Sequence, residues 1–520
     1  MPTNTCLTSA SDAVKTSVSE VLDPGVESLM KAADAGASAR ELELLALKTM
    51  NELARFVLSL ALARRNRVAM EADIERRNLT PENVSVRLDR DYWMSLMTTV
   101  GPIRIPMYSY RDRSGVLPVT LSPGREVFPL YPKCRSTELC LEWESRLAGQ
   151  QPFRKAEEML TYFTHDSVKL EDTTIERHAV RVGHLIEQKW LYRSRSDIIE
   201  ILKARATCDL KTGRPILYWS SDAHALKRFV NESWTSEWKM MNGLRLWCED
   251  RRTRRIIHIG GEFTCGDAKY LTERMSDLLA SGIVSASGDF GDGLVAQYVF
   301  VADGMPWFEQ HLTKMLPDVV VILDAYHVME RLAAYTKLCR CLHDPKTFYQ
   351  SALNLLLGQT PKKGEPGHVR KGHTKRRRRP PPRRRPDVSA RSCRAAVRSL
   401  LAQIKALNDT SSEHRKLLEY IEANAYRMEY QHYRARGFQI GSGAMESLHR
   451  TGSQERLKRA GARWLPETLE GMFRLRMLEM VGRWNEWWSQ PGFFADNAAS
   501  FVATTYRTRT GPRARPNGAR

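Results

Sequence analysis

The stretch from residue 214 to 325 constrains the fold most, because strand-like and helix-like texture alternate there in a fixed order. Residues 216–222 (ILYWSSD), 243–248 (GLRLWC) and 255–263 (RIIHIGGEF) are short β-branched or aromatic runs. The second and third are joined by the charged turn 249–254 (EDRRTR). A helical pattern over 268–281 follows, then a strand over 298–304 (YVFVADG). A helix with proline at its start covers 306–316, and a fifth strand covers 319–323 (VVVIL). The order is βββαβαβ, which predicts three antiparallel strands followed by parallel ones in an α/β sheet.

That order is the ribonuclease-H-like pattern, and three acids stand where such a sheet concentrates chemistry. Asp222 ends the first predicted strand and Asp303 ends the fourth. Glu446 follows Gly441-Ser-Gly-Ala and opens a helix. The ends of the first and fourth strands are neighbours in this topology, and a carboxylate on a later helix can reach them. Clustered carboxylates repel one another unless cations lie between them. The set therefore points to Mg²⁺ or Mn²⁺, which prefer oxygen ligands. Two ions about 4 Å apart stabilise both oxygens of a phosphodiester displacement. A lone Asp at a strand end more often caps a turn or helix; the ordered set of three carries the inference.

Charge points to a polyanionic partner. The 520-residue chain carries 80 Lys and Arg against 60 Asp and Glu, a net +20. Residues 362–385 hold 12 of the basic residues and one Glu, and the last 20 residues add five Arg and no acid. The other 476 residues carry only +4. The segment KRRRRPPPRRRP cannot fold into a core, because proline breaks it and like charges repel. It is expected to be a solvated loop whose Lys375, Arg376, Arg377, Arg378, Arg379, Arg383, Arg384 and Arg385 contact phosphates. No apolar run approaches the about 20 residues of a membrane span. The N-terminus lacks a basic-then-apolar leader pattern. Nine irregularly spaced cysteines fit reduced thiols in a cytosol. The expected location is a bacterial cytoplasm, on the nucleoid.

The rest of the chain reads as helices around a small β unit. Residues 1–39 are polar and read as loose. Residues 40–77 are strongly helical, with Leu42, Leu45, Leu53, Val57 and Leu60 roughly on one face for packing or self-association. Alternation at Ile103, Ile105 and Met107 marks a β-hairpin unit within 87–130, with a turn over 111–115 and a returning run over 116–120. Residues 153–163 and 171–188 are two helices around a break at 164–170, spaced as in a helix-turn-helix. Thr173, Thr174, Arg177 and Arg181 would then face a DNA groove; an ordinary helical hairpin with a solvated basic face has the same spacing. Residues 326–436, outside the basic tract, and 444–489 are helical.

Several blocks resemble bacterial insertion-sequence DDE transposases of the Mutator-like superfamily. They are Tyr218-Trp-Ser-Ser-Asp222, Val301-Ala-Asp-Gly-Met-Pro-Trp307, Ile322-Leu-Asp-Ala-Tyr-His327, Ile440-Gly-Ser-Gly-Ala-Met-Glu-Ser447 and Arg456-Leu-Lys-Arg-Ala-Gly-Ala-Arg-Trp464. The resemblance runs in order over about 100–490. It implies that Asp222, Asp303 and Glu446 are catalytic and hold two Mg²⁺ or Mn²⁺ ions. In this superfamily an Asp or Cys, two residues and a His follow the second catalytic Asp, a pattern matched by Asp324 and His327. The 143 residues from Asp303 to Glu446 match the helical insertion that the resemblance implies. Two departures stand out. Relatives often carry a cysteine pair near the position of residues 110–115, absent here, so no zinc is expected. Their first acidic block is usually followed by Gly, whereas this chain reads Asp222-Ala-His224.

Other residues have two readings. Asp289 and Asp292 are metal ligands or, more simply, turn residues. Cys339, Cys341 and His343 do not share a helix face for zinc. Trp464, beside Arg463, stacks on an unpaired base or packs in the core. Trp484, Trp487 and Trp488 form a core stripe. The expected organisation is an N-terminal helical region (1–86), a small β unit (87–136) and a helix-turn-helix-like DNA-binding region (137–205). A core (206–325) follows, then a helical insertion (326–436) with the basic loop 362–386, a second core part (437–490) and a basic tail (491–520). The function expected is a transposase that cuts element ends and joins the 3′-hydroxyl to target DNA as a homodimer or larger assembly. A nuclease that cuts without joining and a non-catalytic DNA-binding derivative are the alternatives.

Overall fold

A computed structural model describes residues 5–80, 83–112, 121, 134–230, 235–266, 269–303, 306–358 and 389–490. The returning run at 116–120, the basic tract 362–386 and the tail 491–520 lie outside the described residues. The chain divides into two compact units, Met1–Leu185 with Glu486–Arg520, and Ile186–Asn485. No described helix is long and apolar enough to cross a membrane. Cys248 and Cys393, both buried, are free thiols.

The first unit begins with α1 (Thr5–Asp34), where the composition reads as loose. The helix packs along α2 (Ala39–Arg76), and that tertiary contact overrides its weak local preference. A capping box starts α2: Ser38 accepts from the Glu41 N–H and the Glu41 carboxylate accepts in return. α2 lies on a hairpin of β1 (Val84–Thr98) and β2 (Gly101–Asp112). Its contact stripe is Leu58, Leu62 and Ala63, against Leu96, Ile103 and Ile105. Val57 and Leu60, on the expected apolar face, are 49% and 37% exposed. The hairpin therefore meets a stripe one step around the helix from the expected one. Farther along, the Asp73 carboxylate accepts from the Tyr110 hydroxyl at 2.7 Å and from Arg77 Nε at 3.0 Å.

Three mutually packed helices follow, α3 (Glu138–Gln150), α4 (Phe153–Phe163) and α5 (Asp172–Leu185). Leu141, Leu160, Ile175, Ala179 and Val182 are buried. A buried pair, Glu144 Oε2 to His178 Nδ1 at 2.6 Å, ties α3 to α5. The break after α4 is built by Thr164, whose hydroxyl donates to Leu160 O at 2.7 Å and accepts from the Val168 N–H. Left-handed His165 and Asp166 complete the turn. Thr173 and Arg177 are exposed on α5, while Thr174 and Arg181 are half-buried.

The second unit is a mixed α/β fold. After α6 (Arg195–Ala204) come β3 (Ile216–Val230), β4 (Thr235–Glu249), β5 (Ile256–Thr264), α7 (Lys269–Ala280), β6 (Gln297–Ala302), α8 (Pro306–Met315) and β7 (Val320–Leu323). The five strands lie in the order β5-β4-β3-β6-β7. β3, β4 and β5 are antiparallel, and β6 and β7 run parallel to β3. One expectation is corrected. Asp222 does not end its strand: β3 continues to Val230, held by pairing with β4 that starts at Thr235. Residues 223–230 and 235–242 are too polar to read as a core strand. They are extended because two antiparallel segments satisfy each other's backbone.

Helices cover one sheet face. They are α9 (Ala325–Leu338), α10 (Pro345–Leu357), α11 (Ala390–Lys405), α12 (Ser412–Asn424) and α13 (Tyr430–Ala435). The buried residues of α11, Cys393, Val397, Leu400 and Ile404, recur at helical spacing. Val397, Leu400 and Ile404 join Val328, Leu332, Leu417 and Ile421 in one core with Ile216, Tyr218, Trp247, Val299, Val301 and Ile322 of the sheet. At its centre Tyr218 and Trp247, paired across β3 and β4, stack with ring centroids 5.3 Å apart. The chain then returns through α14 (Gly443–Leu448), a π-helical turn (His449–Gln454) and α15 (Pro466–Met480). On α15, Phe473 stacks on Phe263 of β5 at 4.8 Å. Trp484 and Trp487 are buried.

Removing the central ring is expected to be costly. Trp247→Ala should lower unfolding free energy by about 3–5 kcal/mol, the usual cost of deleting a buried large aromatic. Urea denaturation followed by circular dichroism measures it, and a loss under 1 kcal/mol would contradict this packing.

Candidate active site

Strand register brings acids to one edge of the sheet. Trp219 of β3 pairs with Phe300 of β6, so continuing that register sets Asp222 level with Asp303. Ala302 of β6 pairs with Leu323 of β7, which sets Asp303 level with Asp324. Neighbouring strands are about 4.8 Å apart, so the three backbones form a row.

Asp222 lies within β3. Its Oδ1 accepts from the Ala223 N–H at 2.7 Å. Burial pushes its carboxyl up to about 6, the negative charges of Asp303 and Glu446 add to this, and the Ala223 N–H and His327 oppose it. Asp303 is half-buried just past β6, and its Oδ1 is buried with no hydrogen-bond partner. Its backbone carbonyl accepts from the Tyr420 hydroxyl at 3.2 Å.

Glu446 arrives on α14, whose approach depends on two missing side chains. Gly243 sits opposite Asp222 in the β3–β4 pair. A Cβ there would lie 2.5 Å from Met445 Cε and 2.8 Å from Phe263 Cε1. A Cβ on Gly441 would lie 2.5 Å from the Tyr326 ring. The bare backbones at Gly243 and Gly441 thus allow the close approach of this segment to β4 and to the start of α9. Glu446 itself is exposed.

These acids answer in part to what a divalent cation needs. The donors are all carboxylate oxygens, one is buried without a partner, and Asp222 carries a penalised negative charge. Among the described residues, however, no three His, Cys, Asp or Glu side chains are gathered closely enough to hold a metal ion. The coupling of Asp222 to Asp303 and Glu446 is electrostatic rather than chelating in this conformation.

Asp324 and His327 form the best-bonded part of the site. Asp324 caps α9, Oδ1 accepting from the Tyr326 N–H at 2.7 Å. Oδ2 accepts from the Ser442 N–H at 2.8 Å and from the Ser442 hydroxyl. His327 Nδ1 stands 3.3 Å from the same oxygen. Burial would raise the Asp324 carboxyl, but the contacts from His327, Ser442 and Tyr326 outweigh it and hold it below the usual range. The Asp324 carboxylate lifts His327 to about 9, against its partial burial, with Asp303 adding to the lift. Asp324 is thus both a cap and the anchor of the segment that opens into α14.

Sequence reasoning missed two residues beside Asp222. His449 Nδ1 is 3.4 Å from Asp222 Oδ2, and the His449 ring lies 4.4 Å from that of His224. Both are buried. Burial drives His449 down to about 4, opposed by a hydrogen bond to the Asp222 backbone and helped by Arg245, and it drives His224 down to about 3, with Lys458 adding to the shift. Arg245, also buried, donates through Nη1 to the Ala444 carbonyl. The signal available in the sequence was spacing: His224 is two residues from Asp222, and His449 is three from Glu446.

The remaining candidates sit elsewhere. Asp289 Oδ1 accepts from the Gly291 N–H at 2.8 Å and Asp292 has a φ of 52°, so both shape an exposed turn. Cys339 is buried and Cys341 exposed. Trp464 is buried, its indole N–H donating to Leu457 O at 2.8 Å, with Arg456 against its ring at 5.2 Å. Its surroundings are those of a packing tryptophan.

No family model and no curated protein matches the chain. Among solved structures, the chain is similar to one titled Drosophila P element transposase strand transfer complex. The two are 9% identical with a TM-score of 0.30, over 69% of this chain and 93% of that one. A similarity that low does not bear on activity.

The Asp324–His327 pair gives a pH signature. Because His327 is raised from 6.5 to about 9, its contribution is complete below pH 6.5 and disappears as pH rises through 9. Because Asp324 is lowered, its contribution holds above about pH 4 and is lost as pH falls below it. His327→Gln should therefore melt below the wild type at pH 6 and close to it at pH 9.5. An unchanged gap at the two pH values would contradict the pairing.

Proposed function

We propose that this chain is a DDE-type DNA transposase of the Mutator-like kind, built on a ribonuclease-H-like core. The observation that carries the reading is the row of strand-borne acids, Asp222 level with Asp303, electrostatically coupled to Glu446 on α14. The sheet order and directions agree with such a core, and α9–α13 agree with an insertion ahead of the third acid. The motif blocks around all three acids supply the family.

Asp222, Asp303 and Glu446 would hold two divalent ions of the Mg²⁺ or Mn²⁺ class, which supply Lewis-acid stabilisation to the attacking and leaving oxygens of a phosphodiester displacement. The chain's own contribution is to set Asp222 level with Asp303 by strand register and to carry Glu446 toward them on α14. Asp324 supports this by fixing the Ser442 backbone at the start of α14. In the reaction, water attacks the phosphorus at an element end and the 3′-oxygen leaves as a hydroxyl. That hydroxyl then attacks a target phosphorus in line, giving up its proton, and the target strand's own 3′-oxygen leaves as a 3′-hydroxyl, so one phosphodiester replaces another.

DNA is the proposed partner. α5 would be the recognition helix, reading DNA through Thr173, Thr174, Arg177 and Arg181, a reading supported by the exposure of Thr173 and Arg177. The basic tract from Lys375 to Arg385 would hold phosphates without reading sequence. Joining two ends requires a dimer or larger assembly, working on the bacterial nucleoid.

Asp222→Ala, Asp303→Ala and Glu446→Gln should each abolish strand cleavage while retaining end binding. Loss of a transition-state interaction worth several kcal/mol removes three or more decades of rate at about 1.36 kcal/mol per decade. Gel assays of cleavage, joining of a precut end and binding on the same variants measure this. Cutting without joining identifies a nuclease; binding with no cutting by the wild type identifies a non-catalytic DNA-binding protein.

Deleting residues 362–385 should weaken binding to all DNA alike and flatten its salt dependence. An unchanged salt slope makes the tract a spacer.

A further inference from the structure

Asp222 has an unusual neighbourhood for an acid in a sheet. Its Oδ2 faces His449 Nδ1 at 3.4 Å. His449 opens a π-helical turn, His449–Gln454, directly after the helix that carries Glu446. Single π-helical turns inside helices are uncommon and concentrate at functional sites. Here the widened turn keeps the His449 ring buried against the sheet while Glu446 stays exposed.

The ring is held from behind. His224, two residues beyond Asp222 on the same strand face, stands 4.4 Å from it. His224 Nε2 is in turn 2.7 Å from Ser453 Oγ, in the same π-helical turn. Phe263 closes the remaining side, its ring 5.6 Å from His224 and 5.8 Å from His449. The two imidazoles are therefore wedged between β3 and the turn. Each retains one buried ring nitrogen with no partner, Nδ1 of His224 and Nε2 of His449. The arrangement leaves polar capacity unused, which is costly unless the geometry itself is needed.

We infer that His449 is a positioning residue: it holds the Asp222 carboxylate in one orientation, and His224 and Ser453 hold His449. The inference rests on the proposed role of Asp222.

The substitutions that separate positioning from packing are His449→Asn and His449→Leu. Asn places its amide N–H where Nδ1 stands; Leu keeps comparable bulk and no donor. Outer contacts to ligating groups are typically worth roughly 10- to 100-fold in metal affinity or activity. His449→Leu should therefore weaken Mn²⁺ binding, followed by electron paramagnetic resonance without DNA, by roughly 10-fold or more, and lower kcat for cleavage with KM for DNA unchanged. His449→Asn should restore both to within a few-fold of wild type. Thermal melting is run on each. If both variants bind Mn²⁺ and cut like the wild type, or both lose function only in proportion to unfolded protein, the inference is overturned. If the wild type itself neither binds Mn²⁺ nor cuts DNA, the transposase reading fails instead.

Discussion

The buried carboxylate of Asp324 is the constraint on which the rest of the second unit turns. It is fully buried, and a charge so buried is tolerated only when donors surround it. Those donors come from both sides of the helical insertion: Tyr326 and His327 from the chain entering it, and Ser442 from the chain leaving it. The Ala325 N–H also bonds the Ile440 carbonyl. The two ends of a segment of more than a hundred residues are thereby tied at one point of the sheet edge. α14 starts at that knot, so the location of Glu446 follows from the electrostatics of Asp324 and from the bare backbones of Gly243 and Gly441.

The strand order was legible in the sequence because each buried strand is a short apolar run bounded by turn residues. Burial on both faces makes such a run conspicuous, as in YVFVA of β6. The far halves of β3 and β4 were not legible. Lys227, Arg228, Glu237 and Lys239 pair across the strands while staying partly or fully exposed. No burial pattern announces such a ribbon; only the partner strand does. α1 escaped notice for the same reason, since its order comes from α2 rather than from its own composition.

The candidate site was legible to the extent that acids at predicted strand ends could be counted. Asp303 and Asp324 do follow β6 and β7, whereas Asp222 sits mid-strand and is level with them by register alone. His449 was invisible because helical spacing describes an α-helix, and the turn it opens is π-helical. Its meeting with His224 across 225 residues comes from the return of the chain onto β3. Trp464 illustrates the opposite case: beside basic residues it resembles a base-stacking surface, yet its indole is bonded within the fold.

The knot at Asp324 also sets a timetable for the newborn chain. Ser442 follows Asp324 by 118 residues, so at roughly 5–20 residues per second a ribosome releases it about 6–24 s later. During that interval the carboxylate has only its local donors, Tyr326 and His327. The helices between Asp324 and Ser442 emerge first and can settle on the sheet before the knot closes. A chain interrupted anywhere in that interval keeps Asp222, Asp303 and Asp324 but lacks both Ser442, which closes the knot, and Glu446.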